Sequence, residues 1–336
     1  MRCISRLLPI SSLAGLSIFL PLYAQDPGGV DAAIQAAQAA RNPVMLEESA
    51  AKLEAQDQYD AARKLLDAAV NLRAQVSGDQ SADYGLTLLK LGAIERKTGL
   101  AHEAGTHYAK ATHLLPGRPE TAPVFLYLGI MYLGSKDYTR ATENLERARS
   151  MDLTLAGPVL MWTALMQERQ GQLDLAEASY KAALSAENAD TLARAETLTL
   201  YRRFLEQHGR DAEAQALPAP ETAFRNARSS SKTASSSGST GVKRVGGGVS
   251  KPSVIYKVDP AYSEEARVAK YSATVLVQLV VGADGAAHDI KVVKPAGFGL
   301  DDCAVTTIAK WQFKPGQKDG APVPVFATIE VNFRLL

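Results

Sequence analysis

Side chains able to do acid–base or metal chemistry are thinly spread along this chain. Its five histidines are His102, His107, His113, His208 and His288. Three fall on one predicted helix, but their spacings of five and six turn them to different faces. A helical metal pair needs i and i+4. His288 reads as a solvated strand residue. Asp301-Asp302 is an acid pair, and its place at the start of a predicted helix accounts for it, because carboxylates suit the positive end of the helix dipole. Gly297-x-Gly299 is a lone glycine fragment that reads as the turn before that helix. The chain carries no Gly-x-Ser-x-Gly, no phosphate-cradling loop followed by Lys-Ser/Thr and no paired-cysteine site. Cys3 and Cys303 are its two cysteines, and Cys303 reads as a small buried apolar residue. These residue types imply no catalytic set, no metal site and no cofactor, so the chain is expected not to be an enzyme.

The chemistry that remains belongs to backbone groups. From Val323, the odd positions are Val323, Val325, Ala327, Ile329, Val331, Phe333 and Leu335; the even ones include Thr328, Glu330, Asn332 and Arg334. Strict period-2 alternation marks a strand with one dry and one wet face. Upstream, Thr274–Val281 is a second strand rich in β-branched residues, Gly282–Gly285 a turn, and His288–Lys294 the returning arm with Ile290 and Val292 on one face. Leu300, Ala304, Ile308 and Trp311 recur at helical spacing. With a short helix at Tyr262–Ala269, this predicts a small β-β-α-β domain from about residue 251 to 336. So small an antiparallel sheet leaves edges with unpaired N–H and C=O groups, where a partner peptide can add a strand.

Several anchored motifs give this segment a family likeness. Gly297-Phe298-Gly299-Leu300-Asp301, Trp311-x-Phe313-x-Pro315, Asp319-Gly320-x-Pro322-Val323 and Val331-Asn332-Phe333 stand in order, preceded by Pro260-Ala261-Tyr262-Ser263-Glu264-Glu265-Ala266. The segment resembles the C-terminal domain of the TonB family of energy transducers, which often has Pro where this chain has Ser263. The resemblance implies capture of an extended segment of an outer-membrane transporter by strand addition at the last strand. The implied contacts are Phe326, Thr328, Glu330 and Asn332 on the outward face, with Val325, Ile329, Val331 and Phe333 in the core. Coverage of that edge by the preceding segment is the alternative.

Residues 42–217 carry a second pattern. Gly92, Gly129 and Ala164 recur about every 35 residues, each followed by a small-and-large set such as Ala104 and Tyr108, Ala141 and Leu145, or Ala176 and Tyr180. A more divergent unit fits Ala50–Ala69, and a partial or capping unit fits Thr191–Leu217. Period and pattern resemble the tetratricopeptide repeat, a helix–turn–helix unit. Such solenoids present a concave surface to a protein or peptide, so a second protein partner is expected there; a spacer or dimerisation role is the alternative. The exposed positions show no single-sign stripe.

Residues 1–24 read as an export signal: Arg2 and Arg6, an apolar run to Tyr23, then Ala24 before Gln25. A retained inner-membrane anchor is the alternative. Residues 218–250 are Ser/Gly-rich and read as a flexible linker, with a typical end-to-end distance of roughly 30 Å, tying the two domains together without fixing their geometry. Between Ala223 and Lys251 this stretch has only basic charge, read as a solubility device or as weak contact with anionic lipid or wall polymer. Over 336 residues the formal net charge is +1, which points away from nucleic acid.

The expectation is therefore an α+β multidomain chain: an all-α solenoid, a flexible linker and a β-β-α-β domain. It is expected in the periplasm after signal cleavage, binding a transporter peptide in transport or energy coupling, with inner-membrane motor proteins as partners only if the N-terminus stays in the membrane. Family transducers usually carry an uncleaved N-terminal helix and a Pro-rich spacer. This chain departs from both, so a periplasmic scaffold in envelope assembly, transmitting no force, is the alternative.

Overall fold

The structure, a computed structural model, describes residues 27–187, 191–220, 222–224 and 242–335. The expected signal at 1–24 and residues 225–241 of the expected linker lie outside the described residues. The helices of the first part are α1 (Pro27–Ala40), α2 (Val44–Ala55), α3 (Tyr59–Val76), α4 (Ala82–Lys97), α5 (Ala101–Leu114), α6 (Ala122–Gly134), α7 (Tyr138–Met151), α8 (Ala156–Arg169), α9 (Leu173–Ala186), α10 (Leu192–Gln207) and α11 (Asp211–Ala216). They pack as successive antiparallel hairpins, α2 with α3, α4 with α5, α6 with α7 and α8 with α9. Small residues set the spacing within each hairpin. A methyl at Gly92 would fall 2.7 Å from the Tyr108 ring, and one at Gly129 would fall 2.8 Å from Leu145. The repeat period thus places a small residue opposite a large one in each unit, and the result is a tetratricopeptide-like stack.

The second part contains β1 (Ser253–Tyr256), α12 (Glu264–Ala269), β2 (Ala273–Val281), β3 (Ala287–Lys294), α13 (Leu300–Ile308), β4 (Gln312–Lys314), β5 (Gly316–Lys318), β6 (Ala321–Val323) and β7 (Val325–Phe333). The central sheet has the order β3-β2-β7, fully antiparallel, with β2 and β7 in unbroken register from Ala273↔Phe333 to Val281↔Val325. One face carries Val275, Val277, Leu279, Val281, Val331 and Phe333, all buried, and it packs on α13. The expected β-β-α-β unit is this core, with the β1–β4 ribbon and the β5–β6 hairpin added to it.

Two sequence expectations change at the linker. Residues 222–224 are helical, and Phe224 is buried with Ala195 and Leu198 of α10. At the other end, Val249 bridges Lys318 and Ser250 N–H donates to Gln317 O at 2.8 Å. A Ser/Gly composition cannot build a core, but the aromatic at 224 and the backbone groups at 249–250 find partners supplied by distant residues.

The larger correction concerns geometry. The two parts share one core: Met161, Trp162, Leu165 and Phe204 of the solenoid cluster with Val268, Phe298, Leu300 and Ile308 of the C-terminal domain. Val305, on another side of α13, belongs with Leu53, Leu91 and Ile94. α13 is therefore covered by the sheet on one side and by the repeats on the other, which is why residues 300–308 are buried except for the half-buried Asp302. A helix with so wide an apolar surface needs neighbours all round. The reading of a tether that leaves the domain geometry free is overturned within this structure.

Candidate functional site

Two surfaces matter: the seam between the halves and the free edge of the sheet. The seam is built mainly from the first helices of the hairpins, with the start of α3 added at one end. Arg96 at the end of α4 pairs with Glu265 of α12. Arg169 at the end of α8 donates to Val268 O, and Arg203 of α10 donates to Ala269 O at 2.6 Å. Those carbonyls end α12, so the two guanidiniums meet the negative end of its dipole. Gly134 closes α6 against the same helix; a methyl there would sit 2.8 Å from Val268 Cγ2.

The second part of the seam is the loop before α13. Gly297, Phe298 and Gly299 all have positive φ, at 77°, 51° and 74°. Phe298 is the costly one, because a side chain crowds its own backbone in that region. Its ring is buried, edge-on to Trp162 of α8 at 6.3 Å, and its N–H donates to Glu196 Oε1 of α10 at 2.6 Å. Asp301 holds the loop from behind by accepting Ala296 N–H at 2.9 Å and Gly297 N–H at 3.2 Å. Burial, with Glu265 and Asp301 nearby, pushes the Glu196 carboxyl up to about 8 against an ordinary 4.5, although the Phe298 N–H pulls it down. At neutral pH Glu196 is therefore mostly protonated.

Further along, the Tyr59 hydroxyl lies 2.8 Å from Asp302 Oδ1 and 3.1 Å from Asp57 Oδ1, and Lys310 pairs with Asp60 at 3.3 Å. Cys303 is buried with Sγ 3.8 Å from Lys97 O, and burial pushes its thiol up to about 12. Ser263, where the family often has Pro, caps α12 by accepting Ala266 N–H at 3.2 Å and also donates to Phe298 O. The departure from the motif thus ties α12 to the seam loop.

The histidines stand apart from one another. His107 Nδ1 lies 2.7 Å from Glu95 Oε2, and this bond raises the affinity of the ring for a proton. His208 Nδ1 lies 2.7 Å from Phe204 O, and His288 Nε2 lies 3.0 Å from Asp284 Oδ2. Among the described residues, no group of three or more His, Cys, Asp or Glu could hold a metal ion.

The sequence-predicted contact residues lie on the free edge. β7 has β2 on one side only, and it is the outer strand of its sheet. Lys243 takes the first place on the other side: its N–H donates to Pro324 O at 2.8 Å, and Phe326 N–H donates to its carbonyl at 3.0 Å. That bond fixes the parity. Backbone groups of an antiparallel strand alternate between its two sides. Phe326 points outward, so Thr328, Glu330 and Asn332 direct their N–H and C=O groups to the open side. Their side chains share the wet face, where Asn332 Oδ1 accepts from Thr274 Oγ1 at 2.6 Å. Of the four predicted residues, Phe326 has its outward N–H already engaged; Thr328, Glu330 and Asn332 are exposed. Val325, Val331 and Phe333 are buried as expected, while Ile329 is only partly buried against the core.

The sheet has a second edge, β3, and the two differ. β3 shifts register against β2 twice, and Asp289 has φ 48°. Lys291 and Lys294 lie within the strand. Bulges and lysines are how sheets blunt an edge. β7 runs nine residues without a break.

The seam arginines escaped the sequence reading. A lone base near a helix C-terminus reads as a dipole partner. No repeat signal marked them, because they fall at different places in their units: Arg96 lies three residues before the turn glycine Gly99, Arg169 two before Gly171 and Arg203 six before Gly209.

No curated relative matches the chain. Solved structures similar to it include MamA AMB-1, 21% identical over 58% of this chain and 94% of that one at a TM-score of 0.36. MamA MSR-1 is 19% identical over 56% and 95% at 0.36, and another MamA structure is 18% identical over 56% and 90% at 0.37. The hairpin stack described above rests on contacts within this chain and not on these likenesses. Residues 258–335, which hold both the seam loop and the β7 edge, match the family described as the Gram-negative bacterial TonB protein C-terminal.

Proposed function

We propose that this is an exported, non-enzymatic capture protein, in which the β7 edge takes an extended segment of an outer-membrane transporter and the solenoid holds the C-terminal domain. The supporting observation is the division of surfaces. Docking uses α12, the 297–299 loop and α13, whereas Thr328, Glu330 and Asn332 stay exposed on a regular edge. An added strand gains backbone hydrogen bonds along that edge. A non-catalytic reading is supported by how the polar groups around the seam are engaged: Tyr59 serves Asp57 and Asp302, and Lys97 serves Glu54 at 2.7 Å.

The expected second partner on the repeats needs revision. The row of first helices already receives the chain's own C-terminal domain, so another protein binding that row must displace it. This favours the scaffold reading only if such a competitor exists. Location follows from the TonB-type segment and the apolar N-terminal run: the cell envelope, with the domains in the periplasm. Among the described residues no helix is long and apolar enough to cross a membrane.

A photo-crosslinking residue at position 330, tested in the native cells, checks the reading. Capture of an outer-membrane transporter is expected from position 330 and not from Lys291 on the other edge. Equal capture from both positions, or capture only of soluble envelope proteins from 330, defeats the transporter reading. The N-terminal sequence and fractionation of the native protein decide force transduction. A mature start at Gln25 in the soluble fraction leaves an adaptor; an intact N-terminus in the inner membrane restores motor coupling.

A further inference from the structure

β1 is the one strand of the C-terminal domain that is apolar and wet on both faces. Val254 is 46% exposed, Ile255 67% and Tyr256 55%. It pairs with β4 alone among the described strands, and the pairing extends through Ser250 and Val249 to β5. Residues 249–257 and 312–318 thus form one antiparallel ribbon. These two segments hold Lys251, Lys257, Lys314 and Lys318 and no acid, in a chain with 37 bases and 36 acids. All four lysines are exposed, and among the described residues none of them forms an ion pair; Lys257 lies over the Trp311 ring at 5.5 Å. Asp259 and Asp319 stand just beyond the ends of the ribbon.

We propose that this ribbon is a docking surface for an anionic lipid membrane, with Val254, Ile255 and Tyr256 entering the headgroup region and the four lysines meeting lipid phosphates. Three aliphatic or aromatic side chains ringed by unpaired cations are the pattern of an interfacial anchor. The alternatives fit less well. A second copy of β1 paired antiparallel would bring Lys251 of one chain towards Lys257 of the other. A straight partner strand is obstructed by the register shift between Val254 and Tyr256, where Ile255 is the extra residue. A bilayer needs neither register nor shape complementarity. The inference is independent of peptide capture, because the β7 edge takes no part in the ribbon.

The test is co-sedimentation of the full chain with vesicles of phosphatidylcholine alone and of an equal mixture with phosphatidylglycerol. The apolar N-terminal run contributes to both, so the difference between them reports the chain's basic groups, those at 225–244 included, and substitutions in the ribbon assign its share. Binding to the anionic vesicles is expected to be stronger by about tenfold or more at low salt and to fall as salt rises. The double substitution Lys251→Gln, Lys314→Gln removes most of that difference, and Ile255→Asp removes binding that survives in salt. All three positions are exposed, and unchanged circular dichroism confirms folding. Tyr256→Trp provides a second readout, with expected quenching by brominated phosphatidylglycerol. Equal binding to both vesicle types, or wild-type binding by the substituted chains, overturns the proposal. So does concentration-dependent self-association without lipid that Ile255→Asp abolishes, which would make the occupant a second copy.

Discussion

Glu196 shows how one carboxyl can govern the seam. It accepts Phe298 N–H at 2.6 Å, and its folded-state value is raised to about 8 by burial and by its acidic neighbours. The unfolded chain gives up this proton near 4.5 and the folded chain near 8. The stability held by the protonated group is complete below pH 4.5, declines between 4.5 and 8, and is flat above. Glu196→Gln keeps the acceptor and removes the titration. Its melting temperature should match wild type near pH 4 and exceed it at pH 8.5. The gap should be on the order of 2–3 kcal/mol, because a pK unit is about 1.4 kcal/mol and partial exposure reduces the whole. A variant less stable than wild type at pH 8.5 would show instead that the carboxyl is ionised and useful there. Phe298, in contrast, was legible only as part of a motif. Its φ of 51° is tolerated because Trp162, Tyr271 and the Glu196 bond hold it from three sides.

At the scale of elements, the strands and helices were readable because their periods are local. The alternation from Val325 to Phe333 became β7, and the Leu300–Ile308 stripe became α13. The free edge was legible too, since a short antiparallel sheet must end somewhere. Its occupation at Phe326 was not, because Lys243 arrives from across a Ser/Gly stretch with no pattern of its own. The contact between α6 and α12 gives a test with an unusual sign. Gly→Ala in a helix ordinarily adds about 0.5–1 kcal/mol of stability. At Gly134 the new methyl would lie 2.8 Å from Val268, and overpacking should instead cost about 1 kcal/mol or more. Urea unfolding of the full chain decides; a gain in stability would mean that α6 and α12 do not meet. Thr328→Pro is a second element-scale test. It removes an outward N–H and leaves the β2 ladder intact, so the fold should hold while capture at the β7 edge weakens.

At the scale of the molecule, the solenoid and the C-terminal domain behave as one packed body. The seam joins acidic residues of the domain, Glu265 and Asp302, to Arg96 and Tyr59 of the repeats and buries Phe298 and Val305 between them. A protease site placed between Phe224 and Lys243 should cut the chain without releasing the pieces, which should co-elute on size exclusion. Arg96→Glu in the cut chain should separate them, since it sets a second carboxylate against the buried Glu265; with Arg96 partly exposed, the cost should be about 2–3 kcal/mol after solvent screening. Separation of the cut wild-type pieces would defeat the docked arrangement. In the docked chain, the same body that covers α12 and α13 leaves the β7 edge available.

The sequence by itself determined what depends on short-range periodicity and on anchored motifs: the hairpins at their period of about 35 residues, the alternating strands, the TonB-type segment and the edge residues Thr328, Glu330 and Asn332. Tertiary structure decided what depends on residues far apart in the chain. Arg96 and Glu265 are 169 positions apart, and Glu196 and Phe298 are 102. Neither partner shows its role alone, because an arginine at a helix end and a glutamate on a polar face have ordinary local explanations. Only the meeting of the two surfaces gives those charges a desolvated partner, and with it a fixed geometry that a Ser/Gly linker cannot impose.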